Sequence, residues 1–161
     1  MLRLVIPKGS LEKSTLELFA DADLSIIRAS TVDYKGNIKD PRIDSVRVLR
    51  PQEIGSYVAD GLFDIGITGR DWIEETQSRV QTLCELHYSK NTARPVNIVV
   101  AVPEESQWSN VENLPQGVKV STEYPQLTKA YFNNRGIEAD IKLSYGATEA
   151  KAPEIVDAVV D

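Results

Sequence analysis

A chain of 161 residues that is 42% hydrophobic and 26% charged has ordinary globular composition, which excludes a collagenous, low-complexity or wholly disordered chain. Its 18 Lys+Arg against 24 Asp+Glu give a net charge of −6, and without a strongly basic patch to neutralise phosphates no nucleic-acid partner is expected. No apolar run approaches the roughly 18 residues of a membrane-spanning helix, MLRLVIPKGS meets Pro7 and Lys8 too soon for a secretory signal, and one cysteine, Cys84, excludes an intramolecular disulfide framework. The expectation is a cytoplasmic protein with no membrane partner.

In chain order, residues 2–6 form a β-rich run ended by Pro7-Lys8-Gly9-Ser10, which predicts a buried strand and a glycine turn. Ser10 is placed to N-cap the helix that the spacing of Leu11, Leu16, Leu18 and Phe19 predicts. Residues 24–29 predict a second strand, and 31–42 a polar hairpin or loop with Lys35-Gly36-Asn37 as its turn. Residues 44–49 alternate as a strand. Pro51 suits the first position of a helix over 51–60, which Gly61 closes. Residues 63–69 predict a strand and turn, 70–74 a short helix, and 80–87 another strand. The pattern pauses near Lys90 to Pro95, where Asn91, Arg94 and Pro95 suggest a connection between lobes. Beyond it, 96–102 predict a central strand, 103–113 a polar loop or short helix, and 118–121 a strand. A helix over 126–134 closed by Gly136, a strand over 137–143 and a loop over 144–153 follow. Residues 154 onward are apolar and fit either a helix or a strand.

Alternating β and α elements with short connections predict an α/β protein with mostly parallel sheets. The pause divides it into lobe I, residues 1–93, and lobe II, residues 94–161. In such sheets ligands gather beyond the carboxyl ends of strands, which selects five loops. Lys8-Gly9-Ser10 combines a glycine, helix N–H groups and a cation, which suits phosphate, although a lysine in a surface turn reads the same way and the Walker spacing is absent. Arg50 offers a fork of donors at a helix start, or pairs with a surface acid. Thr68-Gly69-Arg70-Asp71 places a carboxylate where it either caps a helix or accepts from a ligand. Ser121-Thr122-Glu123-Tyr124-Pro125 is the fourth. Gly146-Ala147-Thr148-Glu149, leading to Asp157 and Asp161, is the fifth. The two aspartates share a face in a helix or in a strand; among Val156, Ala158, Val159 and Val160 they either need partners or sit in water on an amphipathic helix.

His87 is the only histidine, so a histidine or cysteine metal cluster is excluded and a Ser-His-Asp triad lacks an elbow motif. Trp72 and Trp108 read as packing residues. A divalent metal would be held by oxygens and by substrate phosphates.

LVIPKGSLEKSTLELF, VLRPQEIGSYVADGLFDIGITGRDWIEE, VKVSTEYPQLTKAYFNNRGIEADIKLSYGATEAKAP and EIVDAVVD stand in the order found in ATP phosphoribosyltransferases. The chain resembles that family over nearly its whole length. The resemblance implies two α/β lobes with mixed, mostly parallel sheets of the type II periplasmic-binding-protein kind. It implies the first step of histidine biosynthesis: C1 of phosphoribosyl pyrophosphate is joined to N1 of the adenine of ATP, and pyrophosphate leaves with Mg2+. It places Lys8, Gly9, Arg50 and Asp71 on the nucleotide and pyrophosphate side, with Gly69 and Trp72 beside the base. Thr122, Tyr124 and Glu149 fall on the second lobe's side of the cleft. Asp157 and Asp161 fall in the phosphoribosyl pyrophosphate motif, Asp161 against the ribose hydroxyls, so Asp161, Asp157 and Glu149 are the expected catalytic residues. Mg2+ enters mainly on the substrate phosphates. The resemblance also implies a homo-oligomer, dimer or hexamer, and in the short form a histidyl-tRNA-synthetase-like regulatory subunit. Ser10, Glu123 and the Glu154-Ile155 pair depart from the family's common residues. Family chains continue past this point into a hydroxyl-and-glycine loop around the 5′-phosphate, which makes lobe II incomplete at its C-terminal end. The alternatives are a two-lobed small-anion-binding protein or an inactive fragment of the enzyme.

Overall fold

The computed structural model describes residues 1–87 and 96–161. The chain divides into two compact units, Met1–Pro95 and Val96–Asp161. The predicted connection at 90–95 and the boundary between 93 and 94 fall outside the described residues.

The first unit is built on a four-stranded sheet in the order β2-β3-β1-β4. Its strands are β1 (Leu2–Pro7), β2 (Lys35–Gly36), β3 (Ile43–Leu49) and β4 (Ile65–Gly66). β1, β3 and β4 run parallel, and β2 joins β3 antiparallel at the edge. The apolar run of Leu4, Val5 and Ile6 follows from burial on both sheet faces. Leu4 and Ile6, paired with Val46 and Val48, face Leu16 and Phe19 of helix α1 (Glu12–Asp21). Val5 points to the other face, where Ile54 and Val58 of helix α2 (Pro51–Ala59) close over it. Pro51 opens α2 at its first position, where its missing N–H costs nothing. Helix α3 (Arg70–Glu75) follows β4 directly.

The second unit has the order β5-β8-β6-β7. Here β6 (Val118–Thr122), β7 (Ala139–Leu143) and β8 (Ala158–Val160) are parallel, and β5 (Val100–Ala101) is antiparallel to β8. Helix α4 (Pro125–Asn133) connects β6 to β7. Its Phe132, fully buried, sits in a core with Val118, Val120, Ile137, Ala158 and Val160.

Several expectations are corrected. Residues 24–29 form no strand beyond one bridge, Ile27 with Asn37, because Leu24 and Ile26 serve as core side chains beneath the sheet. Lys35-Gly36 is not a turn but β2; a Cβ on Gly36 would lie 2.8 Å from Ile26 Cγ2, so the glycine permits close packing. Residues 80–87 form no strand and are mostly exposed. Residues 96–102 form only the two-residue edge strand β5; the central places go to β6 and β8, whose valines are buried, whereas Val96 is 85% exposed. Of residues 154 onward, only Ala158–Val160 form a strand, β8, and 154–157, which begin as a turn, lead into it.

One ion pair ties the amino ends of the first sheet. Arg3 Nη2 donates to Asp64 Oδ1 at 2.8 Å and to the Gly61 carbonyl at 2.9 Å, and Arg3 N donates to Asp64 Oδ2 at 2.8 Å. The side-chain hydrogen bond from Arg3 is the largest cause that lowers the Asp64 pKa from 3.8 to about 2. A carboxyl whose folded pKa is depressed stabilises the fold above its unfolded value. That contribution is lost as pH falls from near 3.8 towards about 2. We therefore expect Asp64→Asn to flatten the pH dependence of the denaturation midpoint in that window. An unchanged acid limb would mean the pair is broken in solution.

Candidate functional site

The parallel strands of the first unit bring three sequence-distant loops to one edge. Pro7 lies beside Leu49, and Val5 beside Gly66, so the residues after each strand emerge together. Lys8 N donates to the Leu49 carbonyl at 2.7 Å, and Ile67 N to the Val5 carbonyl at 3.0 Å. Thr68 Oγ1 donates to the Pro51 carbonyl at 2.8 Å, which binds the β4–α3 loop to the start of α2. Lys8, Gly9, Arg50, Gly69 and Asp71 thus share the carboxyl edge of this sheet. Arg50 is exposed at the N-cap of α2 with no side-chain cap, where the helix dipole adds to its charge. Gly69 is the N-cap of α3, and a Cβ there would overlap the Asp71 carboxylate. Trp72 is half-buried in α3.

Ser10 is not an N-cap. Gly9, at φ +82°, begins a 3-10 turn, Gly9–Leu11, before α1, and no side chain caps it at Lys8. Instead Glu12 reaches back: its Oε2 accepts from Gly9 N at 3.3 Å and its Oε1 pairs with Arg28 Nη2 at 2.8 Å. Arg28 Nη1 also donates to the Asp33 carbonyl at 3.2 Å. The next residue, Tyr34, presents its ring to Lys8, whose Nζ lies 4.0 Å from the ring centroid. The side-chain hydrogen bond and charge of Lys8, with the charge of Arg50, hold the Tyr34 phenol below its ordinary pKa against the opposing effect of burial. Tyr34 is invisible to periodicity, because its place depends on β2 pairing with β3.

In the second unit the carboxyl edge carries Asp161 after β8, Thr122–Tyr124 after β6, and the loop from Ser144 to Glu149 after β7. Thr122 is fully buried. Its Oγ1 accepts from Tyr124 N at 2.9 Å and from Thr128 Oγ1 at 3.4 Å, so this hydroxyl shapes the turn into α4. Tyr124 is the N-cap residue of α4. Glu149 is exposed and starts the 3-10 turn Glu149–Lys151. Beneath it lies a cluster that no pattern in the sequence signals. Ser144 Oγ is 2.8 Å from Thr148 Oγ1, both residues being buried, and Lys151 Nζ donates to Ser144 Oγ at 2.5 Å.

Asp157 and Asp161 are not brought together. Asp157 precedes β8, and its Oδ2 accepts from Lys119 N at 2.8 Å at the amino end of β6. Asp161 lies about 13 Å of extended chain further on, beyond the carboxyl end. Its backbone N–H and carbonyl pair with Val99, and its exposed side chain has no hydrogen bond or ion pair among the described residues. The strand therefore divides the two carboxylates between a backbone partner and solvent.

The family model described as HisG: ATP phosphoribosyltransferase matches residues 50–161. The chain belongs to the ATP phosphoribosyltransferase family. It is 44% identical over 161 residues to the ATP phosphoribosyltransferase of Chlorobaculum parvum, covering 100% of this chain and 54% of that protein. It is 42% identical to that of Solibacter usitatus, covering 100% and 55%. The chain spans about half the length of these relatives. Among solved structures, the ATP phosphoribosyl transferase (HisG:HisZ) complex from Thermotoga maritima matches with a TM-score of 0.78 at 24% identity, covering 100% of this chain and 73% of that one. That likeness shows the fold: α/β with two mixed, mostly parallel sheets, of the type II periplasmic-binding-protein kind. Among the described residues of this ATP phosphoribosyltransferase-family chain, no helix is long and apolar enough to cross a membrane.

Proposed function

We propose that this chain is part of an ATP phosphoribosyltransferase. It would transfer the phosphoribosyl group of phosphoribosyl pyrophosphate to N1 of the adenine of ATP and release pyrophosphate, the first step of histidine biosynthesis. The observation that carries the reading is the convergence of Lys8, Gly9 and Arg50 with the start of α2 on one sheet edge, in a chain whose relatives are named for this activity. Two cations and helix N–H groups suit a diphosphate. An anion-binding protein without catalysis needs the same edge, and the transferase names of the relatives favour the enzyme.

In this proposal Lys8, Gly9 and Arg50 hold phosphoryl oxygens, Asp71 accepts from the nucleotide, and Gly69 and Trp72 flank the base. Tyr124 and Glu149 bind the phosphoribosyl substrate, with Thr122 supporting the turn that carries Tyr124. Asp161 faces the ribose hydroxyls, where a carboxylate stabilises positive charge growing on the sugar as pyrophosphate departs. Asp157 orders the strand that presents Asp161.

Among the described residues no three His, Cys, Asp or Glu side chains are grouped to cage a metal. That donor set fits an ion held mainly by substrate phosphates, as Mg2+ commonly is, with Asp161 offering an exposed carboxylate at the edge of the second sheet. Held on the substrate phosphates, Mg2+ would neutralise charge on the leaving pyrophosphate. The pairing of HisG with HisZ in the Thermotoga maritima complex supports an oligomer with a HisZ-like, histidyl-tRNA-synthetase-like regulatory partner for the full protein; that the full protein is also a homo-oligomer and works in the cytoplasm is part of this proposal.

The test joins this chain to the part of the Chlorobaculum parvum relative that it does not match. Pyrophosphate release is read with ATP, Mg2+ and phosphoribosyl pyrophosphate. Turnover by the hybrid is expected. A folded hybrid that stays inactive with and without a HisZ-like subunit would sink the assignment.

A further inference from the structure

Tyr34 is 53% exposed, so burial does not explain its place. Its backbone is fixed on both sides. The Tyr34 carbonyl accepts from Val48 N at 3.0 Å, and the Asp33 carbonyl accepts from Arg28, which Glu12 holds. Because Glu12 also accepts from Gly9 N, one carboxylate ties the Lys8-Gly9 turn to the Tyr34 loop. The Arg28–Glu12 side chains are only 10% and 18% exposed, which makes this pin short of water and weakly screened.

A lysine at a surface turn samples many rotamers, and that freedom is lost when it binds an anion. Here the ammonium already rests over an aromatic ring beside Arg50. We propose that Tyr34 is a positioning residue for Lys8: its ring, carried on a backbone that Arg28 and Glu12 pin at Asp33, holds the Lys8 ammonium on the carboxyl edge of the first sheet, ready for a diphosphate group. This rests on reading that edge as the pyrophosphate and nucleotide side. Tyr34 itself need not touch the ligand; its contribution acts through Lys8.

The experiment measures binding of inorganic pyrophosphate to the 161-residue chain by calorimetry, for the wild type, Tyr34→Phe, Tyr34→Leu, Lys8→Met and the Tyr34→Leu/Lys8→Met pair. A ring–ammonium contact at an exposed site predicts a loss of about three- to fivefold for Tyr34→Leu. Tyr34→Phe, which keeps the ring and loses only the phenol oxygen beside Lys8, should lose less than Tyr34→Leu. On the Lys8→Met background Tyr34→Leu should change nothing further. Tyr34→Leu binding like the wild type, or an equal loss with and without Lys8, overturns the inference. A wild-type chain that binds no pyrophosphate overturns the anion reading of the edge, and this inference with it. Independently of any ligand and of the Leu variant's folding, the phenol titration of Tyr34, followed by its ring carbon resonance, should move up towards the ordinary value in Lys8→Met. An unmoved midpoint also overturns the contact.

Discussion

Asp161→Ala in the hybrid chain is expected to lower turnover by about 10²–10³-fold, the range seen when one group aimed at developing charge is removed. The same change should leave the melting temperature within about 2 °C, since this exposed side chain has no partner among the described residues and such a group contributes little to stability. Asp157→Ala, four residues earlier, should do the reverse. Its carboxylate accepts from Lys119 N at 2.8 Å, and losing a charged acceptor there costs about 1–3 kcal/mol, with turnover falling only as the folded fraction falls. Asp157→Asn keeps an acceptor oxygen and should recover most of that stability. The pair of measurements, steady-state turnover and urea midpoints, separates the roles. Equal losses of activity and stability for Asp161→Ala would make Asp161 structural. Turnover lost in folded Asp157→Asn would return Asp157 to the chemistry.

The largest effect on stability is expected at Phe132. It is fully buried among Val118, Val120, Ile137, Ala158 and Val160, and Tyr131 meets it edge-on with centroids 5.5 Å apart. Truncation to alanine removes a ring from a close-packed core and leaves a cavity that neighbouring strands fill only partly. The cost is about 3–5 kcal/mol, a large share of the roughly 5–15 kcal/mol a domain possesses. Trp108 packs against this core, whereas Trp72 belongs to α3 in the first unit. With Trp72→Phe as background, fluorescence reports the second unit alone. Its urea midpoint should fall steeply in Phe132→Ala, or folding of that unit should be lost. In Tyr131→Ala, at a half-exposed ring, the change should stay near about 1 kcal/mol. A Phe132→Ala loss below about 1 kcal/mol would contradict a core built around this ring.

Most of the alternation was legible in the sequence because it rests on local signals. Leu2 to Ile6 ends at a proline and a glycine. Arg50-Pro51 opens a helix that Gly61 closes, and Gly136 stops the helix after Tyr124-Pro125. Each is a backbone constraint carried by a residue and its neighbours. The failures share a different cause. Residues 96–102 are as apolar as a central strand, yet only Val100 and Ala101 pair, at an edge. Which strand takes the centre depends on how well both faces are covered, and β6 and β8 win because α4 lies against them through Phe132. Lys35-Gly36-Asn37 has turn composition, but antiparallel pairing with Arg47 and Val46 makes it a strand. Leu24 and Ile26 are apolar because they fill the core, not because they form a ladder.

The candidate site divides in the same way. By itself the sequence picked out candidates for the chemistry: the cation at Lys8 after an apolar strand, Arg50 before a helix-starting proline, and the carboxylate at Asp161 after a run of valines. Those follow from residue type and from position at a strand's end, both local properties. The tertiary structure alone decided which of them meet. Parallel pairing of β1, β3 and β4 puts Lys8, Arg50 and Gly69 on one edge, although they are far apart in the chain. Antiparallel pairing of β2 with β3 brings Tyr34, just before β2, onto Lys8. The short strand β8 separates Asp157 from Asp161, although spacing put them on one face. Proximity across a sheet is set by register and strand order, and neither is written in a periodicity.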